Sequence, residues 1–426
     1  MITILLISVF VIGYAAIAFE HSIHVNKAAS ALITGVICWA IYFMFGHSGE
    51  VGIGHLNHHL GEISGIIFFL LGAMTIVELV DTHGGFEVLT NRITTKNKLK
   101  LSWIIAILTF FLSAVLDNLT TTIVMVSLLK KLIRTKEERL LMVGIVVIAA
   151  NAGGAWSPIG DVTTAMLWIK GLITTGAVIQ NVFLPSVVCL LLPLFLFRNK
   201  LKGVIHAPAQ KTGDHEILLK ESEKKLMFYS GIMALLFVPV FKTITHLPPY
   251  MGMLFSLGLM WLLSELIHKS KPDKVKDGLS VITALKKIDT SSILFFLGIL
   301  LAISALQSAG ELNKLATIMD NTIGNQSIIV IAIGMLSAIV DNVPLVAAAM
   351  GMYDVATFPI DSKFWHFLAY CAGTGGSALI IGSAAGVAAM GMDNIDFMWY
   401  LKNISLYALI GYLAGAGVFI LQHGFI

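Results

Sequence analysis

An aspartate followed by an asparagine occurs twice inside apolar sequence, in Ser113-Ala114-Val115-Leu116-Asp117-Asn118-Leu119-Thr120-Thr121 and in Ser337-Ala338-Ile339-Val340-Asp341-Asn342-Val343-Pro344-Leu345. A carboxylate among hydrocarbon side chains is costly, about 2.5–3.5 kcal/mol at the centre of a membrane-spanning helix. It is kept where it handles an ion, a proton or a substrate. Its duplication points to a transporter with two related halves. Further polar residues gather around glycines: Asn151, Ser157, Asp161, Thr163 and Thr164 in the first half, and Thr374, Ser377 and Ser383 in the second. With Asn118, Thr120, Thr121, Ser337 and Asn342 they form a set of hard oxygen ligands without convergent thiol or imidazole. Such a set suits a hard cation. Asp117 and Asp341 add negative charge, which disfavours an anionic substrate. Ser and Thr hydroxyls also join helices in membranes, and Asp161 could simply cap the helix that follows it.

The elements that hold these residues must cross a bilayer. Of 426 residues 57% are hydrophobic and only 12% charged, far more apolar than a soluble domain of this length. Residues 2–19 lack a basic leader and read as a retained span. Cys38, Cys189 and Cys371 stand singly in apolar surroundings and read as packing residues, and nothing in the chain calls for a cofactor. A formal charge of +3 gives no reason to expect a nucleic acid.

Segments 2–19, 28–45, 63–80, 176–197, 226–245, 249–268, 290–309 and 397–421 are each long enough to cross about 30 Å of hydrocarbon as a helix. Segments 140–169 and 364–393 are interrupted by Gly, Ser and Pro and read as broken helices. The Asp-Asn motifs read as tips of re-entrant hairpins. From Lys100 to Lys130 there are two apolar arms of about fifteen residues, with Arg92, Lys96 and Lys98 before them and Lys131, Arg134, Lys136 and Arg139 after. Positive charge at both ends favours one side of the membrane. A second hairpin is expected over 326–357 by symmetry. On this threading all but Lys170, Lys242, Lys314 and Lys363 of the 28 Lys and Arg residues fall on one face, which is expected to be cytoplasmic, leaving both termini outside.

The expected fold is therefore an all-α polytopic membrane protein of inverted repeats, each with five crossings, one re-entrant hairpin and one broken helix. Residues 1–197 form the first repeat, 198–225 a polar cytoplasmic linker and 226–426 the second. Phe69-Leu70-Leu71-Gly72 and Phe296-Leu297-Gly298 stand at matching places in the two halves. His55, His58, His59 and Glu62 read as a wet external loop, with Glu78 and Asp81 as cytoplasmic interface residues. His47, Trp103, Trp261 and Trp399 read as interface residues too.

The chain resembles the NhaD-type sodium/proton antiporters of the ion transporter superfamily. The likeness rests on both Asp-Asn motifs, on Asn151-Ala-Gly-Gly-Ala-Trp-Ser-Pro-Ile-Gly-Asp161-Val-Thr163-Thr164 and on Gly373-Thr-Gly-Gly-Ser377. It implies exchange of Na+ or Li+ for H+ by alternating access. Cation and proton handling would fall to Asp117, Asn118, Asn151, Asp161, Thr163, Thr164, Ser337, Asp341 and Asn342. Thr374 and Ser377 join them from the residue reading, and Na+ is expected at Asp117, Asn118, Asp341 and Asn342. The resemblance also implies a homodimer in the lipid of the cell membrane, the inner membrane in a bacterium. Arsenite or a carboxylate is the alternative cargo within the superfamily. An intramembrane aspartyl protease would need Gly-x-Gly-Asp, where this chain has Pro158-Ile159-Gly160-Asp161.

Overall fold

The computed structural model describes residues 2–18, 20–45, 49–90, 93, 95–133, 135–205, 219–269 and 271–426. Arg92, Arg134, His47 and residues 206–218 of the expected linker lie outside these. The described residues are helical and contain no strand longer than an isolated bridge. Three long helices open the first half, α1 (Ile2–Ala18), α2 (Lys27–Met44) and α3 (Glu50–Thr82). A hairpin follows, α4 (Lys98–Leu116) and α5 (Asn118–Leu132), then a broken pair, α6 (Lys136–Ala155) and α7 (Val162–Ile169), and a closing helix, α8 (Thr175–Phe197). The second half repeats the order: α9 (Glu221–Thr245), α10 (Pro249–His268) and α11 (Thr290–Ser308), then α12 (Glu311–Ile323), an addition of its own. Its hairpin is α13 (Gln326–Leu336) and α14 (Asn342–Met352), its broken pair α15 (Lys363–Gly375) and α16 (Ala384–Asp393), and its last helix α17 (Phe397–His423), which carries a π-turn at Leu401–Ser405.

Among the described residues nine helices are apolar and long enough to cross a bilayer, so the chain is a multi-pass membrane protein. The packing divides in two. Helices α1, α2, α3, α9, α10 and α11 form one group, and the hairpins, broken pairs, α8 and α17 form the other. Within each group the contacts of one half return in the other. Helix α2 packs on α11 as α10 packs on α3, and α4 packs on α6 as α13 does on α15.

Polar contacts at the helix ends fix the directions. Lys98, at the start of α4, pairs with Glu138 at the start of α6 at 2.6 Å, so α4 and α5 fold back on themselves. The N–H of Lys98 donates to the Gly203 carbonyl, which brings the end of α8 to the same face. The far end of α8, about 34 Å away by helical rise over its 23 residues, is capped by Asp361. That carboxylate accepts from the Thr174 N–H at 2.7 Å and from its hydroxyl at 2.8 Å. Asp361 lies two residues before α15, so α15 starts where α7 ends. Conversely, Arg139 near the start of α6 grips Asp393 at the end of α16, with Nη2 to Oδ1 at 2.7 Å and Nε to Oδ2 at 2.8 Å. The two broken helices thus run in opposite directions. Thr3 bonds to Glu311 at 2.8 Å and the Ile426 N–H to Ser327 at 2.9 Å, placing both chain ends on the face where the second hairpin opens.

The fork of Arg139 matters as much as its charge, because Asp393 is buried and both its oxygens are engaged. Arg139→Lys keeps the charge and loses the paired geometry. It should lower stability by about 1 kcal/mol, read as a lower melting temperature in detergent.

Several expectations need correction. Helix α3 was expected over 63–80 with a loop before it, yet it runs unbroken through 33 residues. The His55–Glu62 stretch is helical, and Glu62 meets His58 at 3.7 Å and His59 at 3.6 Å on the same helix and Lys170 from the end of α7 at 3.1 Å. The first hairpin arm is 19 residues rather than about fifteen, because Asn97 caps it ahead of its lysines. Helix α9 starts at Glu221 instead of 226, with Glu221 and Glu223 favourable in its first turn. The expected 269–287 loop holds two short helices, Asp273–Leu279 and Val281–Lys287.

Candidate functional site

The four half-helices each begin at a residue that caps them with its own side chain. Asp117 accepts from the Thr120 N–H at 2.8 Å, Asp161 from Thr163 N–H at 3.0 Å, Asp341 from Val343 N–H at 3.2 Å and Ser383 from Gly386 N–H at 3.1 Å. The sequence supplies these starts by placing an Asp or Ser where glycine or a tip interrupts the apolar run. Asp117 sits at φ +83 and ψ 159, a region costly to a residue with a Cβ. Its second oxygen also accepts from the Thr120 hydroxyl at 2.8 Å, so the two bonds hold the strained tip.

A buried polar network joins the two halves. The Asn118 amide donates to Asp161 Oδ2 at 2.9 Å and to Asn151 Oδ1 at 3.0 Å. The Asn151 amide in turn donates to Ser377 and Ser383 hydroxyls, both at 2.9 Å. Thr163 adds its hydroxyl to Asp161 Oδ1 at 3.0 Å. All six residues are at most 4% exposed. Gly373 faces the same carboxylate: a Cβ built on it would lie 3.6 Å from Asp161 Oδ2. Among the described residues no Lys, Arg or His forms an ion pair with Asp117 or Asp161.

Other expected site residues lie apart from this network. Thr374 donates back to the Tyr370 carbonyl at 2.6 Å and Thr164 to that of Ala155 at 3.2 Å. Ser337 donates to the Gly334 and Ala372 carbonyls at 2.7 and 3.4 Å. The Thr164 and Ser337 hydroxyls stitch neighbouring helices together, while that of Thr374 stays on its own helix. Asp341 meets Lys27 at 3.5 Å, and the neighbouring Asn342 is 4% exposed with its amide nitrogen unpartnered. Ser383 belongs to the centre, although its sequence context alone supports a packing role equally well. Lys27 gives no local signal, because its partner lies more than three hundred residues away.

A cavity of about 110 Å3 reaches the first turn of α5, lined by Glu78, Asp81, Thr120 and Asp289 among others. It shares Asp81, Ile123, Val124 and Lys287 with one of about 480 Å3. The second opens beside His83 and Lys131, on the face where the first hairpin begins and ends. Glu78 and Asp81 therefore line space beside the tip of the first hairpin. His83 itself is fixed. Its Nδ1 donates to the Leu79 carbonyl at 2.6 Å, which leaves Nε2 to accept from His268 Nε2 at 2.8 Å. Burial pushes the His83 imidazole down to about 4, so it is neutral at ordinary pH.

The architecture agrees with what the chain resembles. A family model described as a citrate transporter matches residues 14–369. Sodium/proton antiporter 1 of Arabidopsis thaliana is 51% identical over 97% of this chain and 71% of its own length. Sodium/proton antiporter 2 of the same plant is 49% identical over 98% of this chain and 99% of its own. The Na(+)/H(+) antiporter NhaD of Alkalimonas amylolytica is 28% identical over 97% of this chain and 89% of its own. The chain therefore belongs to the citrate transporter family, within it to the NhaD type, and is a membrane transporter rather than an enzyme.

Proposed function

We propose that the protein exchanges Na+ or Li+ for H+ across the cell membrane by alternating access. The observation that carries this reading is the Asp161 carboxylate, buried, without a cationic partner among the described residues, and held by Asn118 and Thr163. A buried carboxylate is stable when it takes a proton or a metal cation, and the two compete for the same oxygen. The four half-helix starts contribute roughly +0.5 each, about +2 in all. Asp117, Asp161 and Asp341 outweigh that when ionised and when the Lys27 ammonium is away from Asp341. The centre then favours a small cation over a carboxylate or citrate. The names of the relatives support the same cargo.

Residues 1–197 and 226–426 act on this reading as inverted repeats joined by a cytoplasmic linker at 198–225. The antiparallel course of the broken helices supports it. The hairpins are re-entrant and the space that Glu78 and Asp81 line beside Thr120 opens to the cytoplasm, so both termini lie outside. The group holding both hairpins moves against the other six helices, which also join two subunits as a homodimer. Na+ has its principal ligands at Asp161, Asn118 and Asn151, with Asp117, Asp341 and Asn342 at the adjoining tips.

The test is direct. Inside-out membrane vesicles holding an acid interior should lose their pH gradient on addition of NaCl or LiCl, and keep it on addition of citrate or arsenite at the same ionic strength. A gradient untouched by Na+ and Li+, with the protein present in the membrane, would overturn the reading.

A further inference from the structure

Three acidic side chains start half-helices at the centre of the molecule, and their surroundings differ in one respect. Asp117 and Asp161 are answered by hydroxyl, amide and backbone N–H groups. Asp341 is answered by an ammonium, Lys27 Nζ at 3.5 Å from Oδ2. Lys27 is the first residue of α2, in the group of six helices that contains neither hairpin. It is held from several directions. Its backbone N–H donates to Glu20 at 3.1 Å, and its ammonium lies 4.4 Å from the centre of the Phe295 ring on α11. Both Lys27 and Asp341 side chains are largely covered, 22% and 17% exposed. Beside them the buried Asn342 amide nitrogen has no partner.

A lysine ammonium is a compact monovalent cation on a tether. With Lys27 in place the charge at the centre is close to balanced, since the residual negative charge of three carboxylates over four helix starts is about one unit. We infer that Lys27 is a built-in competitor of the transported cation, its ammonium taking at Asp341 the place that Na+ would otherwise claim. The inference rests on the Na+/H+ exchange proposed above and adds to it a residue that sets apparent affinity. Because Lys27 and Asp341 sit on different packing groups, the pair also closes a contact that a relative movement of the groups would open.

Exchange by purified protein in liposomes, followed at fixed pH over a range of NaCl concentrations, tests this. Lys27→Gln should lower the Na+ concentration for half-maximal exchange about fivefold, the ratio that corresponds to a partly exposed ion pair of about 1 kcal/mol, while Lys27→Arg should leave it unchanged. In an Asp341→Asn background the Gln substitution should have no effect on that concentration. A role confined to packing would change the amount of folded protein and not the half-saturating concentration, and would not be rescued by charge alone. Half-saturation equal in wild type and Lys27→Gln, with wild-type exchange intact, would overturn the inference and leave the exchange reading standing. Should Lys27→Gln fail to fold, unequal half-saturation in Lys27→Arg and wild type would overturn it instead. Wild-type protein that moves no protons in response to Na+ would overturn both.

Discussion

Asp161→Asn should reduce Na+-driven proton exchange by about two orders of magnitude, the scale at which a positioned proton-transfer group contributes, while the protein reaches the membrane in normal amounts. The variant keeps the size of the side chain and one carbonyl oxygen. That oxygen can accept from Thr163 or from Asn118 but not from both, because the new NH2 faces a donor on the other side. The structural loss is then one hydrogen bond, about 1 kcal/mol. The chemical loss is the only titratable group of the central network. Asp117→Asn should have a smaller effect, since both Asp117 oxygens are already committed to Thr120. Asp341→Asn should have the smallest, because Lys27 already compensates its charge. This order differs from the sequence-based expectation, which places Na+ at Asp117 and Asp341. Vesicle pH-gradient measurements on the three variants at matched expression decide it. Asp161→Asn protein with wild-type exchange and unchanged pH dependence would remove Asp161 from the mechanism.

Gly375→Ala should be the most damaging small substitution for folding. A Cβ on Gly375 would lie 1.9 Å from the Gly334 carbonyl oxygen, and one on Gly153, its counterpart in the first half, 2.2 Å from that of Phe110. Here α15 lies on α13, and α6 on α4, backbone against backbone. No side chain can swing away, so the helices would have to separate. Overpacking of this kind costs about 3 kcal/mol, the upper end of the usual range. Gly417, with nothing within 4 Å of a Cβ, is the natural control. The Gly375→Ala protein should melt well below wild type in detergent or fail to accumulate, while Gly417→Ala should match wild type. Equal melting of the two variants would contradict the close helix crossing.

The breaks were legible because each is written locally. Ser157-Pro158-Ile159-Gly160-Asp161 combines a helix breaker, a flexible residue and a capping acid, and the chain leaves and re-enters the helix there. Asp117-Asn118 read as a tip on other grounds, the short apolar arms on either side and the positive charge at both of their ends. The true length of α3 was less legible, since Gly52, Gly54 and Gly61 argue against a helix. Glu62 pairs with His58 and His59 along this stretch and with Lys170 from the end of α7. Helix α12 gave no membrane-length signal, being an amphipathic helix of 13 residues. At the site, the residue types were readable and their partners were not. Thr374 and Asn151 are both polar residues beside glycines. Only the packing shows that Thr374 bonds back to its own helix while Asn151 reaches across to Ser377 and Ser383.

With the two broken pairs aligned on Gly153 and Gly375, Asn151 falls opposite Gly373 and Asp161 opposite Ser383, so the amide and the acid of the first half face an absence and a hydroxyl in the second. Two faithful copies would offer a cargo a pair of equal energy wells, and an ion could rest in either without commitment to one face of the membrane. On the proposed reading, divergence between the halves would leave a single deep minimum shared by both approaches. On the exchange proposed above, ions arriving from opposite faces would then take turns at one address, and obligatory exchange would be a property of the energy surface rather than of a separate gate.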